Sequence, residues 1–402
     1  MASPRVQNQR EVFVVSAART PLGSFCGTLA PVSAPHLGAV VVRAVVDRAG
    51  IDKAAVDEVI MGNVISAGLG QNPARQAALR AGLPPSVAAT TVTKVCGSGM
   101  KSIALGEQAI RAGTASLVIA GGMESMSGAP HLLLRAREGY RMGNGELVDS
   151  MIRDGLMDVY GNQHMGVYGD LCAAKCGFTR AQQDDFAEES YARAQKAIQE
   201  GVFDEELVPV EVTVRKKTTI VDRDEEPARF DPRKLRELRP AFSPNGTITA
   251  GNASSISDGA AAVLIGSADV CEKMRLRPLA RIAGCSTHSQ EPEWFSLAPI
   301  GAIRKLLDQL DWSVQSVDLF EINEAFAIVA MAAAKELDIP REKLNIHGGA
   351  VALGHPIGCS GTRLIVTLLN ALRRTGGKKG IACLCIGGGE SIAMALEMPD
   401  QS

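Results

Sequence analysis

One order of elements occurs twice in this chain. From Ala89 it runs "ATTVTKV", a turn of small residues at Cys96-Gly97-Ser98-Gly99, a helix through about Arg111 stopped at Gly113, and a strand "SLVIA" ending in Gly121-Gly122, with Glu124-Ser125 just beyond. From Lys343 the order returns. "KLNIHGGAVALGHPIGCSG" leads into a helix through about Arg374, a stop at Gly376-Gly377, and a strand "GIACLCI" ending in Gly387-Gly388-Gly389-Glu390-Ser391. Upstream of each copy a strand closes on asparagine, "EVIMGN" at Asn63 and "DLFEIN" at Asn323. Self-similarity over this many elements predicts an internal duplication, two like α/β halves that share one core.

The rest of the chain fits that frame. "EVFVVSAA" from Glu11 predicts a buried strand, "APHLGAVVVRAVVDRAG" an amphipathic helix closed by Gly50, and "VDEVIMGNV" the next strand. Such alternation predicts βαβ units and a mostly parallel sheet covered by helices. A chain of 402 residues exceeds one ordinary core and fits two domains or one duplicated unit. From 127 to 255 the periodicity weakens and charges cluster. The exception is "TRAQQDDFAEESYARAQKAIQEG", a helix with Thr179 as N-cap and Gln182 or Gln183 in its first turn. The expected organisation is a polar tail over 1–10, a first half over 11–277 (core 11–126 and 256–277, inserted lid 127–255), and a second half over 278–402.

Composition narrows the function. Lys and Arg number 42 against 44 Asp and Glu, giving no support for a nucleic-acid grip or a polybasic membrane anchor. No run approaches the roughly 18 apolar residues of a membrane span, and "MASPRVQNQR" lacks an apolar signal core. The terminal "DQS" is not the "SKL" peroxisomal address, so the cytoplasm is expected. The nine cysteines form an odd set without zinc spacing, which points to a reducing compartment. Cys172 and Cys176, one helical turn apart, are expected to pack as small apolar side chains.

Three side chains stand where glycines present them. Cys96 sits where strand hands over to helix, and the helix dipole is expected to favour its thiolate, lowering a pKa of ~8.5 to roughly 3.5–7.5. A buried structural cysteine is the competing reading. His355 lies in Gly354-His355-Pro356-Ile357-Gly358, a rigid turn matching that of Cys96, and histidine titrates near neutral pH. Cys385 follows a strand and precedes three glycines, at a sheet end where α/β folds place ligands and where a free N–H can meet an oxyanion. Its neighbour Cys383 is expected in the core. Asn323 either points into the cleft or caps the helix "EAFAIVAMAAAKEL". One cysteine with one histidine suits a hydrolase. A second thiol in the matching half suits acyl transfer in which one sulfur takes the acyl group and the other removes a proton from the attacking carbon.

"VCGSGMKS", "GGMESMS", "AGNASSISDGAA", "NEAFA", "GHPIGCSG" and "CIGGG" occur here in the order found in the thiolases, and by these motifs the chain resembles that family from about residue 11 to 398. The resemblance implies the five-layer αβαβα thiolase fold, duplicated halves with a loop domain inserted in the first, and a coenzyme A thioester as substrate, with no tightly bound cofactor. It implies that Cys96 is acylated, that His355 activates it, that Cys385 is the acid/base, and that Asn323 holds a water forming one oxyanion hole with His355. The backbone N–H groups of Cys96 and Gly387 would form the second. "CGSGMK" and His164-Met165 in "NQHMG" are similar to the acetoacetyl-CoA type, which condenses two acetyl-CoA into acetoacetyl-CoA and CoA by a ping-pong route. The alternatives are a degradative 3-ketoacyl-CoA thiolase of broader chain length, a ketoacyl-synthase-type enzyme, for which Cys385 has no use, and a non-catalytic CoA or lipid carrier.

The same resemblance makes His164 and Met165 acyl-pocket residues, Ser254 a contact for the pantetheine arm, and Phe326 a pocket wall. Arg215-Lys216-Lys217 is either a contact for CoA phosphates or a solvated turn. Tyr160 is similar to a tyrosine near a potassium site in some mitochondrial-type members. A homo-oligomer, dimer or tetramer, is implied, with no nucleic-acid or membrane partner. Glu390-Ser391 departs from the family pattern. A glutamate there either faces solvent or points inward, where it would raise the pKa of a nearby thiol.

Overall fold

The computed structural model describes residues 10–399, so the expected polar tail falls almost wholly outside the described residues. The first half provides β1 (Val12–Arg19), α1 (Ala34–Ala49), β2 (Glu58–Gly62), β3 (Ala88–Val92), α2 (Ser98–Ala112) and β4 (Leu117–Ser125). The lid contributes α3 (Met165–Cys176) and α4 (Arg180–Gln199). There follow β5 (Ser257–Ser267), β6 (Ala280–Ser289), α5 (Ala298–Leu310), β7 (Leu319–Ile322), α6 (Ala327–Leu337), α7 (Ile357–Thr375), β8 (Lys379–Ile386) and β9 (Glu390–Glu397). The punctuating glycines act as the sequence predicts at helix ends: Gly50, Gly113 and Gly376 take φ of 64°, 78° and 74° as left-handed C-caps. Thr179 and Gln182 close a capping box at the start of α4.

The sheet order β7-β8-β9-β6-β1-β5-β4-β2-β3 makes the duplication visible. Outward from the centre, β1-β5-β4-β2 and β6-β9-β8-β7 repeat one pattern, antiparallel, antiparallel, then parallel. Within the sheet the halves pair at Phe13 with Arg281 and Val14 with Ala280. The strand expected in "KLNIH" survives as a single parallel bridge from Leu344 to Phe320, the counterpart of the β3–β2 pairing. A mostly parallel sheet is not what forms. β8 and β9 are joined by three glycines, a connection that allows only an antiparallel hairpin, and β5 enters after the long lid rather than after a crossover helix.

Five layers result. α2 and α7 pack on each other and against strands of both halves, with Met100, Ile103, Leu364 and Leu368 in one buried cluster. α1 and the helix Pro73–Arg80 cover the outer face of the first half, α5 and α6 that of the second. α7 is buried over nearly its whole length because it packs against α2 and against strands of both halves of the sheet, and a helix so placed cannot keep a polar face toward water. Each apolar side chain sunk in this layer stabilises by about 1.5–3 kcal/mol. Its buried polar residues therefore need specific partners.

The lid docks on the second half. Ser190 of α4 donates to Glu324 (2.7 Å) and Arg193 to the carbonyl of Leu344 (2.7 Å). The basic run Arg215-Lys216-Lys217 is exposed at the tip of the hairpin Val210–Val214/Lys217–Val221, with Arg215 and Lys216 in the left-handed region. Among the described residues no helix is long and apolar enough to cross a membrane.

Candidate active site

The Cys96 turn is built by close approach more than by glycine flexibility. The left-handed residue is Val95 (φ 46°), a β-branched side chain in a region it seldom visits, a strain of order 1–3 kcal/mol held by its surroundings. Ser98 clamps the turn, accepting from the Lys94 N–H (2.8 Å) and donating to the Val95 carbonyl (2.6 Å). Gly97 and Gly99 are small because the neighbouring chain leaves no room: a Cβ on Gly97 would overlap Ile386, and one on Gly99 would sit 2.9 Å from the Thr362 nitrogen. The backbone N–H groups of Gly387 and of Cys96 itself favour the charged form of the Cys96 sulfur.

The expected thiolate does not form in the resting protein. Burial pushes the Cys96 thiol up to about 11, outweighing those two N–H donors, with a small further push from Glu124. Cys96 therefore needs a base.

His355 is placed to be one. It follows Gly354 (φ 107°), where a side chain would collide with Ser257, and precedes Pro356 at the head of α7. Its Nδ1 lies 2.5 Å from the Ser360 hydroxyl, which donates to the Pro356 carbonyl (2.9 Å), and its Nε2 lies 3.3 Å from Asn323 Nδ2. Burial, and then the charge of Arg363, hold its pKa down to about 3, so the ring is neutral and able to accept a proton. Asn323 is fully buried, its backbone N–H bound to the Cys383 carbonyl; α6 begins later, with Phe326 at its N-cap position, so Asn323 points toward the histidine instead of capping.

Cys385 ends β8 on the face it shares with Cys383, whose sulfur is 3.3 Å from the Ser391 hydroxyl in the core. Burial drives the Cys385 thiol well above its ordinary range, and the neighbouring Cys96 adds to the rise. Cys96, His355, Cys385 and Gly387 line one cavity of about 560 Å³, together with His164, Met165, Ser254 and Phe326. His164 caps α3, accepting from the Gly166 N–H (3.1 Å), and stacks on Phe242 at 4.6 Å. Burial lowers its pKa. Phe326 meets Phe242 and Phe295 edge-on. The Ser254 hydroxyl donates to the Ala325 carbonyl (2.9 Å).

Other candidates fall elsewhere. Tyr160 is exposed and outside the cavity wall, and among the described residues no group of three or more His, Cys, Asp or Glu side chains could hold a metal ion. The basic run is also absent from the wall, where Arg229 of the lid stands instead. Cys172 is buried and Cys176 half-buried, both packed around the second half's outer core. Glu390 does not line the cavity: partly exposed, it pairs with Lys94, two residues before Cys96, and so links the Cys96 turn to the glycine loop after Cys385.

Sequence reasoning passed over Glu124, read only as part of an echo. Fully buried, it accepts from Asn63 Nδ2 (2.8 Å) and from the N–H groups of Val64 (3.1 Å), Ile65 (3.2 Å) and Gly358 (2.9 Å), tying the first half to the His355 turn. Burial raises its carboxyl to about 7 against these donors. Its presence in a repeated motif was the available signal. Ser360 and Arg363 gave none, since contacts across layers leave no mark in local spacing.

Fold and site together bring two thiols and a neutral imidazole to one cavity, a set suited to acyl transfer. Residues 12–269 match the thiolase N-terminal domain and 276–398 the thiolase C-terminal domain, so the chain belongs to the thiolase family. It is 50% identical to acetyl-CoA acetyltransferase of Chromobacterium violaceum over 97% of this chain and 100% of that one. It is likewise 50% identical to acetyl-CoA acetyltransferase of Escherichia coli, over 96% and 98%. The solved Acat5 thiolase from Ascaris suum in complex with coenzyme A superposes with a TM-score of 0.92 at 43% identity, covering 97% of this chain and 100% of that one.

Proposed function

We propose that this thiolase is an acetyl-CoA acetyltransferase, catalysing the reversible Claisen condensation of two acetyl-CoA into acetoacetyl-CoA and CoA. The observation that carries the reading is the single cavity walled at once by Cys96, His355, Cys385 and Gly387. Acetyltransferase relatives at half identity over nearly the full chain support the acetyl specificity.

In the first half-reaction Cys96 attacks the thioester carbon while its proton passes to His355 Nε2. The oxyanion is met by preorganised N–H donors, those of Cys96 and Gly387, each typically worth a few kcal/mol. The C–S bond to CoA breaks, and the departing sulfur takes a proton from Cys385. A second acetyl-CoA enters. The Cys385 thiolate, formed beside the His355 imidazolium, removes its α-proton, and the carbanion attacks acetyl-Cys96. A C–C bond forms, Cys96 leaves, and it recovers its proton from His355. The Phe242, Phe295 and Phe326 rings and His164 shape the acyl end of the cavity, which favours a short acyl group.

The strand β3 closes the sheet at one edge and is half exposed, which supports association with a second copy, dimer or tetramer. The nine cysteines are free thiols, consistent with a reducing cytoplasm. Thiolysis rates of acetoacetyl-CoA against longer 3-ketoacyl-CoA substrates, with and without potassium, test the activity: acetoacetyl-CoA fastest supports the acetyltransferase, and rates rising with chain length would replace it with a degradative thiolase.

A further inference from the structure

Asn323 is a primary amide whose oxygen and nitrogen are told apart only by their partners. One partner settles it. Arg363, fully buried on α7, places Nη2 3.4 Å from Asn323 Oδ1. A guanidinium has only donors and does not lose its proton in a protein, so the amide end it faces is the carbonyl oxygen. The amide nitrogen is thereby turned toward His355 Nε2, 3.3 Å away. A donor facing Nε2 requires a lone pair there, which puts the ring proton on Nδ1. The far side of the ring demands the same tautomer: the Ser360 hydroxyl donates to the Pro356 carbonyl (2.9 Å), leaving its oxygen to accept from Nδ1 at 2.5 Å.

We propose that Arg363 is a positioning residue for acylation: through Asn323 it holds His355 in the Nδ1–H tautomer, which leaves Nε2 without a proton beside the cavity that Cys96 lines. The proposal rests on the reading of His355 as the base. A buried arginine is a costly device for stability alone, and its ion pair with Glu321 on β7 is a loose 3.5 Å contact. The charged or titratable groups around it are Glu321 on β7, Glu206 from the lid, Cys359 on its own helix and His355 itself. Its positive charge also disfavours the imidazolium, which helps keep the resting base neutral.

Removing Arg363 alone would strand Glu321, whereas exchanging both partners of a buried pair is often tolerated. The test therefore uses Arg363→Met/Glu321→Gln, with Glu321→Gln as control and Arg363→Lys as a charge-conserving variant. Each is followed by thermal unfolding, by single-turnover acetylation of Cys96 with acetyl-CoA, and by NMR of ¹⁵N-histidine-labelled resting enzyme. For the double variant the expected result is acylation slower by on the order of 10²-fold at nearly unchanged KM, with the His355 resonances shifting from a pure Nδ1–H form toward a tautomer mixture. Glu321→Gln is expected to keep both, and Arg363→Lys to fall between. Wild-type rate and a pure Nδ1–H tautomer in folded Arg363→Met/Glu321→Gln overturns the assignment. Absence of acetylation in the wild-type enzyme would sink the acyltransfer reading instead, while the tautomer measurement would still decide the role of Arg363.

Discussion

"IAGGMES" and "CIGGGES" occupy matching places in the two halves, and the fold uses them in opposite ways. In the first, Gly121 and Gly122 lie inside β4, where a Cβ would overlap the carbonyl oxygens of Ala261 and Gly358; they are glycine so that strand, β5 and the His355 turn can touch. In the second, β8 stops at Ile386, and Gly388 and Gly389, with φ of 89° and 84°, turn the chain into β9. Glu124 is buried among four donors, whereas Glu390 is half exposed against Lys94. The asparagines diverge likewise: Asn63 serves Glu124, Asn323 serves His355. One ancestral element became a scaffold in one copy and a reactive loop in the other.

The largest effects expected from this division concern the two sulfurs. Cys96→Ala is expected to abolish acyl transfer, by roughly 10⁴-fold or more. Cys385→Ala is expected to acylate on Cys96 yet fail to condense; radiolabelled acetyl trapped on the protein without acetoacetyl-CoA release is the signature. Condensation near the wild-type rate in Cys385→Ala would erase the division of labour.

Next come the paired glycines. Gly121→Ala is expected to destabilise by about 3 kcal/mol, because its Cβ would overlap the Ala261 carbonyl oxygen and backbone has to move, and Gly387→Ala by far less, since its Cβ would meet only Met165 and Val95 at 3.7 Å. Denaturant midpoints measure both, and equal losses would mean that the copies are not used differently.

The glutamates should separate by a smaller margin. Glu124→Gln turns an amide N–H toward backbone donors and is expected to cost about 1–3 kcal/mol, while Glu390→Gln removes a partly exposed ion pair worth about 0–1 kcal/mol. Thermal melts of the two variants decide it. Finally, the acylation rate should barely change between pH 7.5 and 5.5. His355 takes a proton only near pH 3, so its base form persists where an ordinary histidine, titrating at 6.5, is charged. An acid limb centred near 6.5 in single-turnover acetylation would show that His355 is not so buried.

The duplication, the alternating elements, the helix caps and the set Cys96, Asn323, His355 and Cys385 were legible because each is local. Periodicity, glycine stops and small-residue turns are written over a few adjacent residues. The layers were not legible in the same way. Nothing near Glu124 announces that it holds the N–H of Gly358, and nothing near Arg363 announces Asn323; the two members of each pair come together only when α7 packs against strands of both halves. The strand directions were misread for the same reason, because connection length and pairing partner are settled across the molecule.

By itself, then, the sequence determined two α/β halves and the residue types able to carry thioester chemistry, since propensity, capping and repetition act over short range. The tertiary structure alone decided which glycines are turns and which are contacts, that burial keeps Cys96 a thiol up to about 11, and that His355 rests neutral. Desolvation and packing depend on neighbours far away in the chain, and only the folded core supplies them.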